Sequence, residues 1–111
     1  MSAFAIAHIQ SIDVGTAIVE YLERIDATLA PYEGRFLIHG GPADVREGRF
    51  QGDLIVIAFP DRDRAQRWYE SPAYRAIVSL RTDNSDGWVI LIDGVPSDHR
   101  ATDVLGAATR R

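Results

Sequence analysis

Residues 53–59 read DLIVIAF and residues 88–92 read WVILI. Both runs have the length of a β-strand, and neither alternates apolar with polar residues. A strand of an antiparallel sheet that is covered by helices on one face should alternate, because its other face meets water. Whichever parity of these two runs faces the helices, the opposite face of the sheet is apolar as well. The two runs therefore predict a sheet that is covered on both faces.

A second copy of the same sheet is the simplest cover for the second apolar face. Left bare, that face would exceed the apolar patches of roughly 300–600 Å² that monomers expose. Burying each large apolar side chain contributes about 1.5–3 kcal/mol, and two-fold homodimers are the commonest assemblies. We therefore predict that the chain's partner is itself, in a homodimer that buries at least ~2,000 Å² through the sheet faces.

The segments around the two runs predict two helices. Apolar residues recur at helical spacing from Val14 to Tyr32, with Asp13 as the expected N-cap and Gly34 as the expected left-handed end. A second helix is expected in two segments that end near Arg81. The first segment is expected to open at Pro60 and Asp61, with Asp63 and Gln66 as a candidate capping box, and the second at Ser71 and Pro72.

Together the segments have the order β-α-β-β-α-β. This order predicts an α+β, ferredoxin-like sandwich, in which two helices cover one face of a four-stranded antiparallel sheet. Residues 1–96 form the predicted domain, and residues 97–111 are a polar, Gly- and Ala-containing tail that we expect to be flexible. The expected strands are Ala3–Ile9, Arg35–His39 with a continuation over Ala43–Glu47, Asp53–Phe59 and Trp88–Ile92.

Composition excludes several classes of function. The net charge of -4 and the absence of a basic surface argue against nucleic acid as a partner. There is no cysteine and no lysine, so thiolate chemistry and lysine Schiff bases are excluded, and the three scattered histidines lack the spacing of a metal site. No apolar run is long enough to cross a membrane, and residues 1–10 lack the features of a signal peptide. We therefore expect a cytoplasmic location.

Five side chains are candidates for binding or chemistry. His39 precedes a glycine pair that leaves room for a ligand beside the strand. Trp68 and Tyr74, on the second helix, combine apolar rings with polar atoms, and so does Tyr21 on the first helix. Arg81 follows an apolar stretch and could turn inward to hold a carboxylate. The structural alternatives are a half-buried histidine, packed core aromatics and a surface ion pair.

Four segments resemble the domain of unknown function 1330 family, within the dimeric α/β barrel superfamily. The most specific is the Trp68-Tyr69, Ser71-Pro72 and Tyr74 pattern, and the similarity extends over roughly Ala3 to Val95. The others are Tyr32–Leu37 ending in Gly40-Gly41, the strand that ends in Phe59-Pro60, and the strand that closes on Asp93-Gly94.

The resemblance implies a ferredoxin-like protomer whose sheet packs on the sheet of its mate to form a barrel. Superfamily members include cofactor-free monooxygenases, haem-degrading enzymes, isomerases and dehalogenases, and their ligands lie between the sheet and the helices. The family itself has no settled activity. This chain has Ala58 where the family commonly has a glutamate before Phe-Pro, so it lacks any acid or base that this glutamate would supply.

Two hypotheses of function follow. In the first, a pocket between sheet and helices binds a small anionic or oxygenated ligand through the five candidate side chains. His39 is then the proton acceptor and Arg81 the anion clamp of a monooxygenase- or isomerase-like reaction that needs no cofactor. In the second, the protein is a non-catalytic dimeric binding or interaction module, and the same residues belong to its core and surface. A cavity with His39 in its wall favours the first hypothesis.

Overall fold

Four antiparallel strands form one sheet in the order β2-β3-β1-β4, and helices cover one of its faces. This computed structural model describes residues 1–109. The observed order confirms the ferredoxin-like α+β prediction. The elements are β1 (Ala3–Ile12), α1 (Thr16–Leu29), β2 (Arg35–His39), β3 (Asp53–Phe59), α2 (Arg62–Glu70), α3 (Pro72–Arg75), α4 (Val78–Thr82), β4 (Ser85–Asp93) and α5 (Asp103–Thr109), with a 3₁₀ turn at Ala30–Tyr32 after α1.

The strand register settles which residues face the helices. Ala5 on β1 lies opposite Ile57 on β3 and Leu91 on β4, and this parity packs into the core beneath the helices. The other parity forms the uncovered face, which we call the far face. Its central row crosses all four strands through Ile38, Val56, Ile6 and Ile90, in that order. Both rows are apolar, as the unbroken strands predicted.

Helix α1 begins at a different residue from the one expected, but it ends at Leu29, next to Ala30, where Pro31 disfavours helical geometry. Its N-cap is Gly15, whose N–H is bonded to the carbonyl of Asp13, so Asp13 lies outside the helix. After the 3₁₀ turn, Glu33 and not Gly34 takes the left-handed conformation, with a φ of 58°. Gly34 is required for another reason, because a Cβ at this position would lie 2.7 Å from the Phe59 ring.

The second helical region is divided into three pieces, one more than expected. Asp61, and not Asp63, caps α2 by accepting a hydrogen bond from the N–H of Arg64 at 2.8 Å. The predicted second start is confirmed, because the Ser71 side chain accepts from the N–H of Tyr74 and Pro72 opens α3. A further break at Ile77, which is fully buried, separates α3 from α4.

Strand β2 ends at His39, so the expected continuation over Ala43–Glu47 is wrong. Gly40 and Gly41 have φ values of 73° and 96°, a left-handed conformation that turns the chain away from the sheet. Pro42 follows them and has no N–H to offer a neighbouring strand. The segment up to Gly52 is a loop outside the sheet.

The C-terminal segment contains the short helix α5, which the sequence analysis did not predict. Its apolar side chains Val104 and Leu105 are each 60% exposed, so they bury little surface. Arg110 and Arg111 lie outside the described residues, and the flexibility of residues 97–111 stays a prediction. No helix among residues 1–109 is both long and apolar enough to cross a membrane. The cytoplasmic location also stays a prediction.

Candidate functional site

A cavity of about 310 Å³ lies between the sheet and α1, and its wall is mostly apolar. The central strand β1 forms the floor with Ala5 and Ala7, whose short side chains leave the space above them open. Helix α2 packs directly on β1, β3 and β4, whereas α1 packs mainly on α3 and α4. Small residues under a helix that stands away from the sheet therefore create the cavity.

All five candidate side chains from the sequence lie on the cavity wall, together with residues that the sequence analysis did not single out. The candidates are Tyr21, His39, Trp68, Tyr74 and Arg81. The wall also contains Ile12, Val14, Leu22, Phe36, Asp53 and Val89, besides further apolar residues of α1 and the sheet. Val14 and Leu22 had been expected only on the apolar side of the first helix, yet they are 68% and 45% exposed.

Trp68 is the most firmly held part of the wall. Its side chain is 2% exposed, and its ring centre lies 4.3 Å from that of Tyr74 and 5.5 Å from that of Phe59. The indole Nε1–H donates to the Thr28 hydroxyl at 2.9 Å, and that hydroxyl donates to the carbonyl of Ile25 at 2.7 Å. This chain of hydrogen bonds connects α2 to α1 and fixes the orientation of the indole.

Tyr21, Tyr74 and Arg81 form the polar part of the wall, which we call the tyrosine–arginine cluster. The two buried hydroxyl oxygens are 2.7 Å apart and share a hydrogen bond. The Arg81 Cζ lies 5.9 Å from the centre of the Tyr21 ring. Burial, followed by the neighbouring Tyr74, raises the pKa of Tyr21 well above its ordinary value, although Arg81 acts in the opposite direction. Tyr21 is therefore a neutral hydroxyl across the physiological pH range.

The half-buried Arg81 has no carboxylate partner. No Asp or Glu oxygen among the described residues lies within 4.0 Å of its guanidinium, although five other arginines form such pairs. Burial acts to lower the pKa of Arg81, but Tyr74 and Tyr21 outweigh it and the net shift is upward. The expected surface ion pair is therefore absent from the described part of the chain, and the charge lies on the wall of an apolar space.

His39 reaches the cavity because of a bulge in β2. Phe36 lies opposite Ile57 and His39 opposite Ile55, so the extra residue between them brings both rings to the face that the helices cover. The two rings stack with centres 4.4 Å apart and planes at 17°. The His39 side chain remains exposed, and no group among residues 1–109 hydrogen-bonds to it. Sequence spacing alone gives no sign of the bulge.

His39 and Arg81 approach the cavity from opposite edges of the sheet. His39 lies on the edge strand β2, whereas α4, which carries Arg81, packs on α1 and on the other edge strand, β4. The axes of the two edge strands are separated by three strand spacings, or about 14 Å. A ligand in the cavity would therefore meet the two side chains from opposite sides.

Two other positions have no part in the cavity. Ala58, where relatives commonly have glutamate, lies opposite Phe4 on the far face, so a carboxylate there would point away from the cavity. His8 is also on the far face, where its Nε2 is 2.7 Å from the carbonyl oxygen of Gln51. Within residues 1–109, no three potential ligand residues come together as a metal site would require.

The strand order and the helices that cover one face define this chain as a ferredoxin-like α+β domain. Residues 2–95 match the family described as domain of unknown function (DUF1330), and the chain belongs to that family. The resemblance found from the sequence is thereby confirmed. No protein with a curated description matches the sequence.

Solved structures with the same fold have low sequence identity to this chain. RPA0582, a protein of unknown function from Rhodopseudomonas palustris, is 11% identical with a TM-score of 0.62, over 86% of this chain and 83% of that one. A dimeric ferredoxin-like protein of unknown function from Jannaschia sp. CCS1 is 11% identical with a TM-score of 0.61, over 85% and 100%. A variant of SnoaB, a cofactor-independent oxygenase from Streptomyces nogalater, is 11% identical with a TM-score of 0.58, over 89% and 98%. These similarities show the fold alone.

Proposed function

We propose that this protein is a homodimer that binds a small anionic or oxygenated organic ligand in the cavity between α1 and the sheet. The observation that carries the proposal is Arg81, a half-buried cation that lies on the wall of an apolar cavity and has no carboxylate partner in the described part of the chain. A buried charge is stable only when it is paired or hydrogen-bonded, and an anion in the cavity would pair with this one. The volume of about 310 Å³ lies at the lower end of the range of small-molecule sites, about 300–1,000 Å³.

The homodimer is supported by the far face. Trp88, Ile90 and Ile92 on β4 are 49%, 43% and 44% exposed, and Ile38 on β2 is 42% exposed. These side chains belong to a continuous apolar surface, which a second copy would cover with the same surface. The Jannaschia protein with this fold is described as dimeric, which agrees with this arrangement.

The chemistry that suits the cavity is the removal of a proton from the ligand. His39 would accept the proton at one side of the cavity, while negative charge develops on a ligand oxygen held by Arg81 at the other side. An extended, conjugated ligand connects the two positions. A reaction of this kind requires no cofactor, and SnoaB, which has this fold, is described as a cofactor-independent oxygenase. We therefore propose either a monooxygenase-like reaction, in which the deprotonated carbon takes one oxygen atom from O2 and the other leaves as water, or an isomerase-like return of the proton to another carbon.

A second candidate function is a non-catalytic binding or interaction module. It is favoured by the surroundings of His39, which stacks on Phe36 and has no carboxylate or carbonyl among residues 1–109 that orients its ring by a hydrogen bond. Catalytic histidines are commonly oriented by such a group. In this alternative the cavity binds its ligand without changing it.

Trp68 fluorescence tests ligand binding directly. A Trp88→Phe background leaves Trp68 as the single tryptophan, and small aromatic and aliphatic carboxylates are screened by titration. Arg81→Ala should weaken binding about tenfold or more, since a hydrogen bond to a charged group contributes about 1.5–3 kcal/mol. Arg24→Ala is the matched control, because Arg24 pairs with Glu20 on the exposed side of α1.

Hydrogen–deuterium exchange of the bound ligand's carbon acids, followed by NMR, separates the two functions. Catalysed exchange that His39→Ala abolishes supports the enzyme, whereas binding without exchange supports the module. If Arg81→Ala and His39→Ala both bind as tightly as the parent, the assignment of the site is wrong.

A further inference from the structure

The tyrosine–arginine cluster contains more hydrogen-bond donors than acceptors. Tyr21 and Tyr74 have one hydroxyl proton each, and their mutual hydrogen bond uses one of the two. No second acceptor among residues 1–109 takes the other proton. Arg81 adds N–H donors and no acceptor, and it lies close enough to act on both hydroxyls. The two hydroxyl oxygens can accept from Arg81, but one tyrosine proton has no acceptor among residues 1–109 and is free for a ligand at the edge of the cavity.

We infer that the tyrosine–arginine cluster is the head-group subsite of the cavity and binds the anionic oxygen of a monoanionic organic acid with an apolar body. The free tyrosine proton and the Arg81 guanidinium both donate to that oxygen. This inference rests on the proposed ligand-binding function and specifies which chemistry it serves. It also assigns Tyr21 and Tyr74 as donors to the ligand and not merely as core residues.

The rest of the wall determines the charge and polarity of the ligand. Arg81 is the only arginine on the described wall, and the carboxylate of Asp53 lies on the same wall. A phosphate dianion would have one cation to bind and a carboxylate to repel it. A sugar would leave most of its hydroxyls facing alanine, isoleucine and valine side chains without hydrogen bonds. A single negative charge on an apolar body matches both features.

The size of the cavity restricts the apolar body to one or two rings or a short chain. A volume of about 310 Å³ corresponds to roughly ten water molecules at about 30 Å³ each. The aromatic walls at Trp68 and Phe36 favour a planar body, which can stack against them. The anionic oxygen can belong to a carboxylate or to a phenolate, since both accept several hydrogen bonds at one negative centre.

Isothermal titration calorimetry with matched ligands tests the inference on the full chain. The carboxylate arm compares 2-naphthoate with 2-naphthamide, and the phenolate arm compares ionised 4-nitrophenol with 4-nitroanisole. In at least one arm the anion should bind about tenfold or more tightly than its neutral counterpart, and that arm identifies the source of the oxygen. 2-Naphthyl phosphate should bind more weakly than 2-naphthoate.

The variants then locate the subsite. A Tyr21→Phe/Tyr74→Phe double variant should lose about tenfold in affinity for the anion and little for the neutral ligand. Each single variant keeps one hydroxyl proton for the ligand and should lose less than the double variant. Tyr69→Phe is the control, because Tyr69 does not itself line the described wall, although its ring contacts those of Trp68 and Tyr74. Circular dichroism checks the fold of each variant.

The outcomes distinguish this inference from the function on which it rests. Equal binding of anion and neutral ligand, or a preference that the double variant retains, overturns the head-group subsite and leaves the binding cavity in place. Tighter binding of the phosphate overturns the monoanionic ligand in the same way. Failure of every ligand to bind the parent protein overturns both proposals.

Discussion

Replacing Ile90 by glutamate should convert the proposed homodimer to monomers. Ile90 is 43% exposed on the central row of the far face, opposite Ile6 on β1. Fully burying an isoleucine contributes about 1.5–3 kcal/mol, so burying its exposed 43% contributes about 0.6–1.3 kcal/mol. Two-fold symmetry doubles this to about 1.3–2.6 kcal/mol per dimer. Placing a carboxylate at an apolar interface costs several kcal/mol more for each copy.

The total loss exceeds about 4 kcal/mol, which corresponds to a dissociation constant about a thousandfold higher. Sedimentation velocity at micromolar concentration measures the change, with the parent protein expected at twice the chain mass of 12.3 kDa. Val19→Glu is the matched control, because Val19 is 47% exposed but lies on α1, away from the far face. A parent protein that sediments as a monomer, or an Ile90→Glu variant that still dimerises as the parent does, would refute the reasoning.

Two further predictions concern stability. Thr28→Val keeps the shape of the side chain but leaves the buried Trp68 Nε1–H unpaired, so we expect the free energy of unfolding to fall by about 1–3 kcal/mol and the melting temperature by about 4 °C or more. Thr82→Val, at an exposed helical position, is the control and should change the melting temperature little. An equal effect of the two variants would contradict the role of the hydrogen bond. Deletion of Thr102–Arg111 should lower the melting temperature only slightly, because Val104 and Leu105 bury little surface, and a fall of more than about 8 °C would show that this segment docks on the domain.

The fold could be predicted because its evidence is local. The apolar runs at residues 53–59 and 88–92 have the length of a strand, and the Ser71-Pro72 pair is a local signal for the start of a helix. The parity of the strands could not be predicted, because both faces of β3 and β4 are apolar and only the packing of α2 decides between them. The reason why glycine is required at position 34 could not be predicted either, because it is a contact with Phe59, which is far away in the sequence.

The candidate side chains could be found by residue type, but their grouping could not. Histidine, arginine and aromatic residues stand out in any sequence as chemically versatile. The hydrogen bond between Tyr21 and Tyr74 joins residues 53 positions apart, on elements that meet only in the folded chain. The placement of His39 depends on the β2 bulge, a one-residue change of register without a composition signal. Tertiary packing therefore determines which of the candidates share the cavity.

The cavity itself distinguishes a ligand-binding protein from a simple interaction module. A closed, empty space of this size would destabilise the fold by roughly 7 kcal/mol, at about 24 cal/mol per Å³, which is a large part of a typical domain's 5–15 kcal/mol. Exposed Val14 and His39 lie on its wall, so water enters and reduces the cost. Water against Ala5, Ala7 and the surrounding isoleucines nevertheless has few hydrogen-bond partners, and an apolar ligand would release it. A module that acted only through its far face would gain stability from larger side chains at these two alanines. A bound amphipathic anion would account both for the open floor of the cavity and for Arg81, which has no carboxylate partner among the residues that the structure describes.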